Sequence, residues 1–246
     1  MNRTIWTYWE TPRGRVKPPY LDLCLETMRR HAPSRQVVVL DPVNVFEYLP
    51  DLRDDVFRLR RISHRTDYLR ARVVHAHGGM WLDADTILLR EPDLDAAAET
   101  YGFAACSREY GKPSAGFFAG PKDSPILADW VVRMDAVLDA ARRNPLSFFR
   151  GYRLKWTALN TLAWEAVNGR DYHDIPFARI VPIDWPDWER FFRTDVAVHD
   201  VVQDDTIAVT LFNKFMQAKL ERTTREEILA SPTLLGKLFR HSLGAG

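Results

Sequence analysis

The sequence predicts an α/β fold in which short apolar strands alternate with amphipathic helices. Gln36–Asp41 reads QVVVLD, an apolar and β-branched run that is typical of a buried strand. Pro125–Arg142 has its apolar residues at helical spacing. The chain has 246 residues, which is enough for one α/β domain with a full core. We predict a single domain over residues 1–246, with residues 221–246 as a C-terminal helical extension.

The composition is that of an ordinary globular protein, with 46% hydrophobic and 27% charged residues. The net charge of +1 argues against a nucleic-acid partner, because no basic excess is present to neutralise phosphates. The apolar runs are too short to span a bilayer, and the first residues lack a signal-peptide core. Cys24 and Cys106 have no CxxC spacing, which favours buried thiols over a disulfide scaffold. We therefore expect a cytoplasmic protein.

The first part of the chain is predicted to open with a strand over Ile5–Trp9, followed by a proline-rich loop and a helix over Tyr20–His31. Asn44–Arg61 is predicted to form one or two short helices. Ligands of open α/β sheets bind beyond the carboxyl ends of the strands. Trp6 or Trp9 could therefore stack on a nucleobase, and packing in the core is the alternative for each.

The alternation continues after Arg90. We predict strands at residues 101–106, 115–119, 179–183 and 206–212, and a further helix at residues 156–168. The loops Ser107–Ser114 and Asp184–Asp205 are candidates for substrate selection, since specificity commonly lies in loops. Trp185 and Trp188 in the second loop either form a platform for a sugar or close over the core.

The segment from Ser63 to Arg90 combines a predicted helix, a Gly-Gly stop and an apolar strand with two aspartates at its end. Ser63 is a plausible N-cap, and Gly78 stands where a helix end favours glycine. Asp67 and Arg70 share one face of this helix. A surface ion pair would explain them, but their place beside the aspartates leads us to expect that they reach the same cleft.

Asp83 and Asp85 are separated only by Ala84 and follow the apolar residues of the strand. Two carboxylates so close together in a poorly solvated place repel each other unless a cation compensates them. Mg²⁺ and Mn²⁺ prefer oxygen ligands, and Mg²⁺ usually takes only one or two protein carboxylates. The pair therefore predicts a metal–diphosphate site; turn aspartates that cap the next element are the alternative.

The pattern S-x-R-x-D-x-x-R followed by G-G-x-W-L-D-x-D-T resembles the DXD-containing glycosyltransferases of the capsular-polysaccharide-synthesis and Och1-like sugar-transferase type, which are similar to glycosyltransferase family 32. The opening residues Thr4–Glu10, TIWTYWE, resemble the first strand of that family. The resemblance is strong over residues 3–90 and fades to scattered similarity beyond them.

This resemblance implies a GT-A type fold with a mixed central sheet flanked by helices. It implies a hexosyltransferase-type enzyme that moves a sugar from a nucleotide-diphosphate sugar to a saccharide or other hydroxyl acceptor, with retention, in polysaccharide or glycoconjugate biosynthesis. It also implies Mn²⁺ or Mg²⁺ as the cofactor. The sequence shows no obvious acceptor-side base, and a retaining enzyme would not need one.

The resemblance also implies roles for individual residues. Asp85 would ligate the metal, Asp83 would contact the ribose or a metal-bound water, and Asp67 and Arg70 would hold the sugar hydroxyls, with Arg70 near the diphosphate. Asp67, Arg70 and Asp85 are thus the expected catalytic residues, and Asp83 and Asp85 the expected metal ligands. The residues expected at the donor are Trp6, Trp9, Asp67, Arg70, Trp81, Asp83, Asn213 and Lys214.

Two segments depart from the family pattern. Thr210 stands where relatives often carry histidine, so Asn213 or Lys214 would have to take over its contact; Lys214 could also be a plain surface lysine. Ser114 and Gly116 occupy the stretch where relatives often have an Asn-Gly type pair.

Two other functions remain open from the sequence. A phosphohydrolase of the haloacid dehalogenase type also places D-x-D-x-T after an apolar strand, with the first aspartate as nucleophile. That family has the motif near its amino terminus, and Asp204-Asp205 is a weak candidate for its later acidic pair. A non-catalytic nucleotide-sugar-binding protein is the other alternative.

The C-terminal helix after Ser231-Pro232 carries apolar residues beside Lys237, Arg240 and His241. A basic amphipathic helix of this kind can lie on an anionic membrane, which would place the protein at the inner face of the membrane. Packing against the rest of the chain is the alternative.

Overall fold

A computed structural model of the chain describes residues 1–144 and 150–244. The chain forms two compact units. The first comprises Met1–Glu10, Val38–Leu82 and Leu94–Ile175, and the second comprises Thr11–Val37, Asp83–Asp93 and Pro176–Gly246. Compact units of this kind also occur within single domains, so the single domain stays a prediction.

The first unit is built on a six-stranded sheet. Its strands are β1 (Thr4–Tyr8), β2 (Gln36–Leu40), β3 (Gly79–Leu82), β5 (Ala104–Ser107), β6 (Pro113–Gly120) and β7 (His173–Pro176), in the spatial order β2-β1-β3-β6-β5-β7. β1 and β3 are parallel, with Trp6 opposite Trp81, whereas β6 is antiparallel to both β3 and β5. The expected mixed sheet is confirmed.

Helices cover this sheet. They are α2 (Val45–Tyr48), α3 (Ile62–His77), α4 (Asp95–Tyr101), α5 (Pro125–Arg143) and α6 (Leu162–Val167). α3 packs against β1, β3 and β6 of the sheet and against α5. Because it is enclosed in this way, α3 buries residues on most of its circumference, including the charged Asp67 and Arg70.

The second unit contains a two-stranded ladder of β4 (Thr86–Leu88) and β8 (Ala208–Thr210). Its helices are α1 (Pro19–His31), α7 (Asn213–Leu220), α8 (Arg225–Ala230) and α9 (Leu234–Leu243). The outer edge of β4 is satisfied by side chains, since Leu88 N–H donates to Thr27 Oγ1 at 2.9 Å and Ser242 Oγ donates to Leu88 O at 2.8 Å. α1 and α9 are thereby fixed to the ladder.

The predicted elements are correct where the apolar pattern is long, as in β1, α1, β2 and α5, and wrong in several short segments. α3 begins at Ile62 rather than after Ser63, and its N-cap is Arg61 without a side-chain cap. The helix predicted for 156–168 forms only over Leu162–Val167, after a run of turns in which Leu159 O accepts from Trp130 Nε1. The strand predicted from residue 101 starts at Ala104.

The strand predicted at residues 179–183 is also wrong. Phe177–Arg179 forms a 3₁₀ turn instead, in which Ile180 N–H donates to Phe177 O at 3.0 Å. Arg179 O accepts from Ile207 N–H at 2.7 Å, so this segment contacts the chain just before β8 without entering the ladder. The apolar Ile180, Val181 and Ile183 are buried, as they would be in a strand. Their apolar pattern therefore predicted a strand although the backbone forms none here.

The C-terminal helix α9 packs inside the second unit. Leu234, Leu235, Leu238 and Phe239 are all buried, in contact with α1, α8 and β4. Lys237 Nζ donates to the carbonyl oxygens of residues 194 and 196 at 2.6 and 2.9 Å. The apolar face of α9 is thus covered by the second unit, and membrane contact through this helix stays a prediction. No helix among the described residues is long and apolar enough to cross a membrane.

Candidate functional site

Two glycines join α3 to β3 where the sequence predicted a helix stop. Gly78 follows the helix with φ +69°, and Gly79 opens β3 with φ +109°. The carbonyl of Gly78 accepts from Trp6 Nε1 at 2.9 Å. A Cβ on Gly79 would stand 2.6 Å from Thr4 O, so the backbones of β1 and β3 approach too closely for any side chain there. The Gly-Gly pair thus sets the start of the strand that precedes the aspartates.

In the first unit, Asp67 and Arg70 form a buried ion pair one turn apart on α3. Arg70 Nη2 lies 3.3 Å from Asp67 Oδ1, and each residue is only 6% exposed. Arg70 Nε donates to Thr66 O at 3.3 Å, and its guanidinium lies over the ring of Trp81, 5.5 Å from the centroid. These contacts hold Arg70 in one orientation. The pair is buried rather than on the surface, and its contact with the donor stays a prediction.

Because the pair is buried, we expect Arg70→Met to lower the free energy of unfolding by about 3 kcal/mol, since it leaves the Asp67 charge in a poorly solvated place. Asp67→Asn together with Arg70→Met is expected to cost less than the sum of the two single changes. Urea denaturation of the parent protein, the two single variants and the double variant measures this coupling. Additive effects would show that the two charges do not stabilise each other.

The three tryptophans expected at the donor have different positions in the first unit. Trp6 is 3% exposed, and its ring packs against Tyr48 and His77 at centroid distances of 5.2 and 5.4 Å. Of its two alternatives, Trp6 has the core position. Trp81 is fully buried beneath Arg70, where it supports the guanidinium rather than facing solvent. Trp9 is partly exposed directly after β1, and its backbone N–H donates to Leu40 O.

In the second unit, Asp83 and Asp85 are both partly exposed, on either side of the buried Ala84. Asp85 O accepts from Leu211 N–H at 2.9 Å, which extends the β4–β8 ladder by one bond. Asp85 Oδ2 accepts from the backbone N–H of Asn213, the first residue of α7, at 2.5 Å. The N-cap residue Phe212 provides no side-chain cap, so Asp85 provides one from the turn before β4.

The side chain of Asn213 is held in turn by Tyr20, whose hydroxyl donates to Asn213 Oδ1 at 2.5 Å. Burial, and secondly the negative charge of Asp85, raises the pKa of both the Tyr20 hydroxyl and the Cys24 thiol. Both groups therefore stay protonated at neutral pH. Tyr20 was not predicted from the sequence, because nothing in the local pattern of α1 links it to a residue 193 positions away.

The other residues singled out near the C-terminus also lie in the second unit. Lys214 is exposed, with Nζ 5.5 Å from the ring centroid of Phe215. Phe215 stacks on Trp188 at 5.2 Å, and Trp185 is 56% exposed. Thr210, at the position of the family histidine, is partly buried, and its hydroxyl donates to Ile180 O at 3.4 Å. Trp188 thus has an aromatic partner, whereas Trp185 presents its ring to solvent.

The pair Asp83 and Asp85 suits a hard cation in its chemistry. Among residues 1–144 and 150–244, no group of three or more His, Cys, Asp or Glu side chains is placed to hold a metal. Mg²⁺ needs only one or two protein carboxylates when phosphates and water complete its coordination. A carboxylate has about four lone-pair sites, so the bond from Asn213 occupies only part of the capacity of Asp85. The two carboxylates therefore fit a metal that binds together with a diphosphate.

Comparison with known proteins shows which families the chain is similar to. The family described as "Capsular polysaccharide synthesis protein" matches residues 1–119. The curated protein "Glycosyltransferase afumC" of Aspergillus fumigatus (strain CBS 144.89 / FGSC A1163 / CEA10) is 26% identical over 152 residues, which are 52% of this chain and 38% of that protein. The match to the capsular family confirms the resemblance over the stretch that carries the motifs.

Solved structures are similar in fold. The glycosyltransferase GlyE of Streptococcus pneumoniae TIGR4 has a TM-score of 0.50 at 10% identity, over 98% of this chain and 60% of GlyE. The PaToxG glycosyltransferase has a TM-score of 0.44 at 14% identity, over 100% of this chain and 87% of that one. The similarity to GlyE confirms the expected GT-A type fold. The chain spans 38% of the curated relative and 60% of GlyE.

Proposed function

We propose that this chain, whose residues 1–119 match the capsular polysaccharide synthesis family, is a metal-dependent glycosyltransferase. It transfers a sugar from a nucleotide-diphosphate sugar to a saccharide or other hydroxyl acceptor, with retention, in polysaccharide or glycoconjugate biosynthesis. The expected cofactor is Mn²⁺ or Mg²⁺.

The observation that supports this proposal best is the fixed carboxylate of Asp85. The D-x-D pair follows the buried strand β3 directly, and the N–H of Asn213 orients Asp85 from the start of α7. A ligand whose orientation is set by a hydrogen bond to a second residue is typical of metal sites in proteins. The same carboxylate lies in the turn before β4 and caps α7, so the capping role and the proposed metal role share Asp85.

For the second unit, we assign Asp85 as a metal ligand and Asp83 as the contact to the ribose or to a metal-bound water. When bound, the metal supplies a positive charge that stabilises the departing diphosphate. Asp85 keeps its carboxylate oriented through Asn213, so little reorganisation is needed when the donor binds. Lys214, the next residue of α7, is exposed and could donate to a phosphate oxygen.

For the first unit, we assign Asp67 and Arg70 to the hydroxyls of the donor sugar, with Arg70 directed to the diphosphate. A guanidinium presents its donors in a planar arrangement that matches paired oxygens, and Asp67 and Trp81 hold that plane in place. Trp81 thus acts as a positioning residue. Trp6 is left out of the proposed donor contacts because it lies in the core, and Trp9 is kept as a candidate.

The first experiment is a thermal-shift screen of the purified protein against nucleotide-diphosphate sugars, with and without Mn²⁺, beside Asp85→Asn. We expect one nucleotide to raise the melting temperature in a metal-dependent way, by an amount that reports its affinity. The variant is expected to lose this shift. No shift with any nucleotide would contradict the proposal. Release of the nucleotide diphosphate in the presence of an acceptor then distinguishes an enzyme from a binding protein.

A further inference from the structure

A basic cavity lies in the first unit, at the beginning of α3. It has a volume of about 370 Å³ and is lined by Arg60, Arg61, Tyr152, Arg153 and Leu154. This volume is within the range of pockets that bind small molecules, roughly 300–1,000 Å³. None of the five lining residues was singled out by the sequence motifs, and the proposed function does not use them.

Backbone pairing brings the two sides of this basic cavity together. Tyr152 N–H donates to Arg58 O at 2.8 Å, and Arg60 N–H donates to Tyr152 O at 3.2 Å. Gly151 makes the approach feasible with φ +66°, because a Cβ at that position would stand 2.7 Å from Arg58 O. The backbones that carry these arginines are therefore paired directly, and the Arg61 guanidinium lies over the Trp156 ring, 5.2 Å from its centroid.

The charge of the cavity is uncompensated within the described part of the chain. Arg60, Arg61 and Arg153 are exposed, and none of them has a carboxylate partner there. By contrast, Arg53 in the same unit contacts three carboxylates. Residues 58–65 and 150–156 contain no Asp or Glu. Like charges held together in this way repel each other, and an anionic ligand would remove that cost.

The start of α3 adds to the positive potential. Its N-cap is Arg61, whose side chain accepts no hydrogen bond from the helix. The first N–H groups of this 16-residue helix therefore have no capping side chain as an acceptor. Helix N-termini of this kind bind phosphate well. Leu154 and the exposed ring of Trp156 provide apolar surface beside these donors, whereas Tyr152 is buried and its hydroxyl donates to Asp55 Oδ2 at 2.8 Å.

We propose that the basic cavity binds the phosphate group of a phosphorylated saccharide. Arg60, Arg61 and Arg153 would hold the phosphate, since guanidinium groups match its oxygens in pairs. Leu154 and Trp156, whose ring is 53% exposed beside Arg61, would contact the apolar face of the sugar ring. The further role of this saccharide as the acceptor rests on the proposed function, whereas the binding itself does not.

Calorimetric titration of the metal-free protein with glucose 1-phosphate tests the proposal, with inorganic phosphate and glucose as separate probes. We expect glucose 1-phosphate to bind more tightly than inorganic phosphate, and glucose not to bind. The double variant Arg60→Ala/Arg153→Ala should weaken this binding at least about tenfold. The matched control Arg29→Ala/Arg222→Ala removes two other exposed arginines and should leave it unchanged. Equal melting temperatures of both variants establish that they fold.

Four results would overturn the proposal. The first is an equal loss of binding in the control variant, and the second is equal affinity for inorganic phosphate and glucose 1-phosphate. The third is binding only to phosphatidylcholine vesicles that contain phosphatidic acid, which would identify a lipid headgroup as the source of the phosphate. The fourth is displacement of glucose 1-phosphate by the nucleotide-diphosphate sugars of the thermal-shift screen, which would assign the arginines to the donor.

The proposed function and this site can fail separately. Glucose 1-phosphate binding that persists in Asp85→Asn, together with no nucleotide shift in the parent protein, leaves the site intact and rejects the transferase. A metal-dependent shift with a nucleotide, without binding of glucose 1-phosphate, supports the transferase and rejects the phosphate site. Neither measurement depends on turnover.

Discussion

Replacement of Asp85 by asparagine is expected to lower the rate of sugar transfer about 10³-fold, because it removes a charged metal ligand whose effect is largest when the diphosphate departs. The amide oxygen of Asn can still accept from the N–H of Asn213, so α7 should keep its cap. Steady-state rates with saturating Mn²⁺ measure the loss, and the melting temperature without ligand should stay close to that of the parent.

Asp85→Ala provides the matched comparison. It removes both the charge and the acceptor of the Asn213 N–H, so it should lose the same activity and in addition about 1 kcal/mol of stability. Asp83→Asn should reduce the rate less than Asp85→Asn if Asp83 contacts the ribose or a water. Nearly full activity of Asp85→Asn in metal-dependent assays would reject the assignment of Asp85 as a ligand.

The second large effect concerns the fold. We expect Gly79→Ala to lower the free energy of unfolding by about 3 kcal/mol or more, because the new Cβ requires both an unfavourable φ and the space of Thr4 O. β1 and β3 would have to separate at the centre of the first unit. Chemical denaturation monitored by tryptophan fluorescence measures this change, since Trp6 and Trp81 lie on these two strands.

Gly169→Ala is the control for this prediction. Gly169 belongs to the same unit and has a similar positive φ of +70°, but a Cβ there meets nothing within 4 Å. Gly169→Ala should therefore lower the free energy of unfolding only through its unfavourable φ, by about 1 kcal/mol. Equal costs at the two positions would mean that the close approach of β1 to β3 contributes nothing.

The position of β3 and of its aspartates could be predicted because the signals are local. Met80, Trp81 and Leu82 form a buried strand, which the flanking Gly-Gly pair and the short length of the run favour over a helix. The site residues beyond residue 90 could not be predicted with equal certainty. Asn213 was suggested only through a family resemblance, and its bond to Asp85 spans 128 residues.

The sequence by itself determined the long elements, the Gly-Gly junction and the D-x-D pair, since hydrophobic periodicity and glycine conformations act over a few residues. Only the tertiary structure decided that Trp6 and Trp81 are buried, that Asp85 caps α7, and that two distant segments meet around the basic cavity. Such contacts depend on the path of the chain between them, and that path is set by the packing of many residues together.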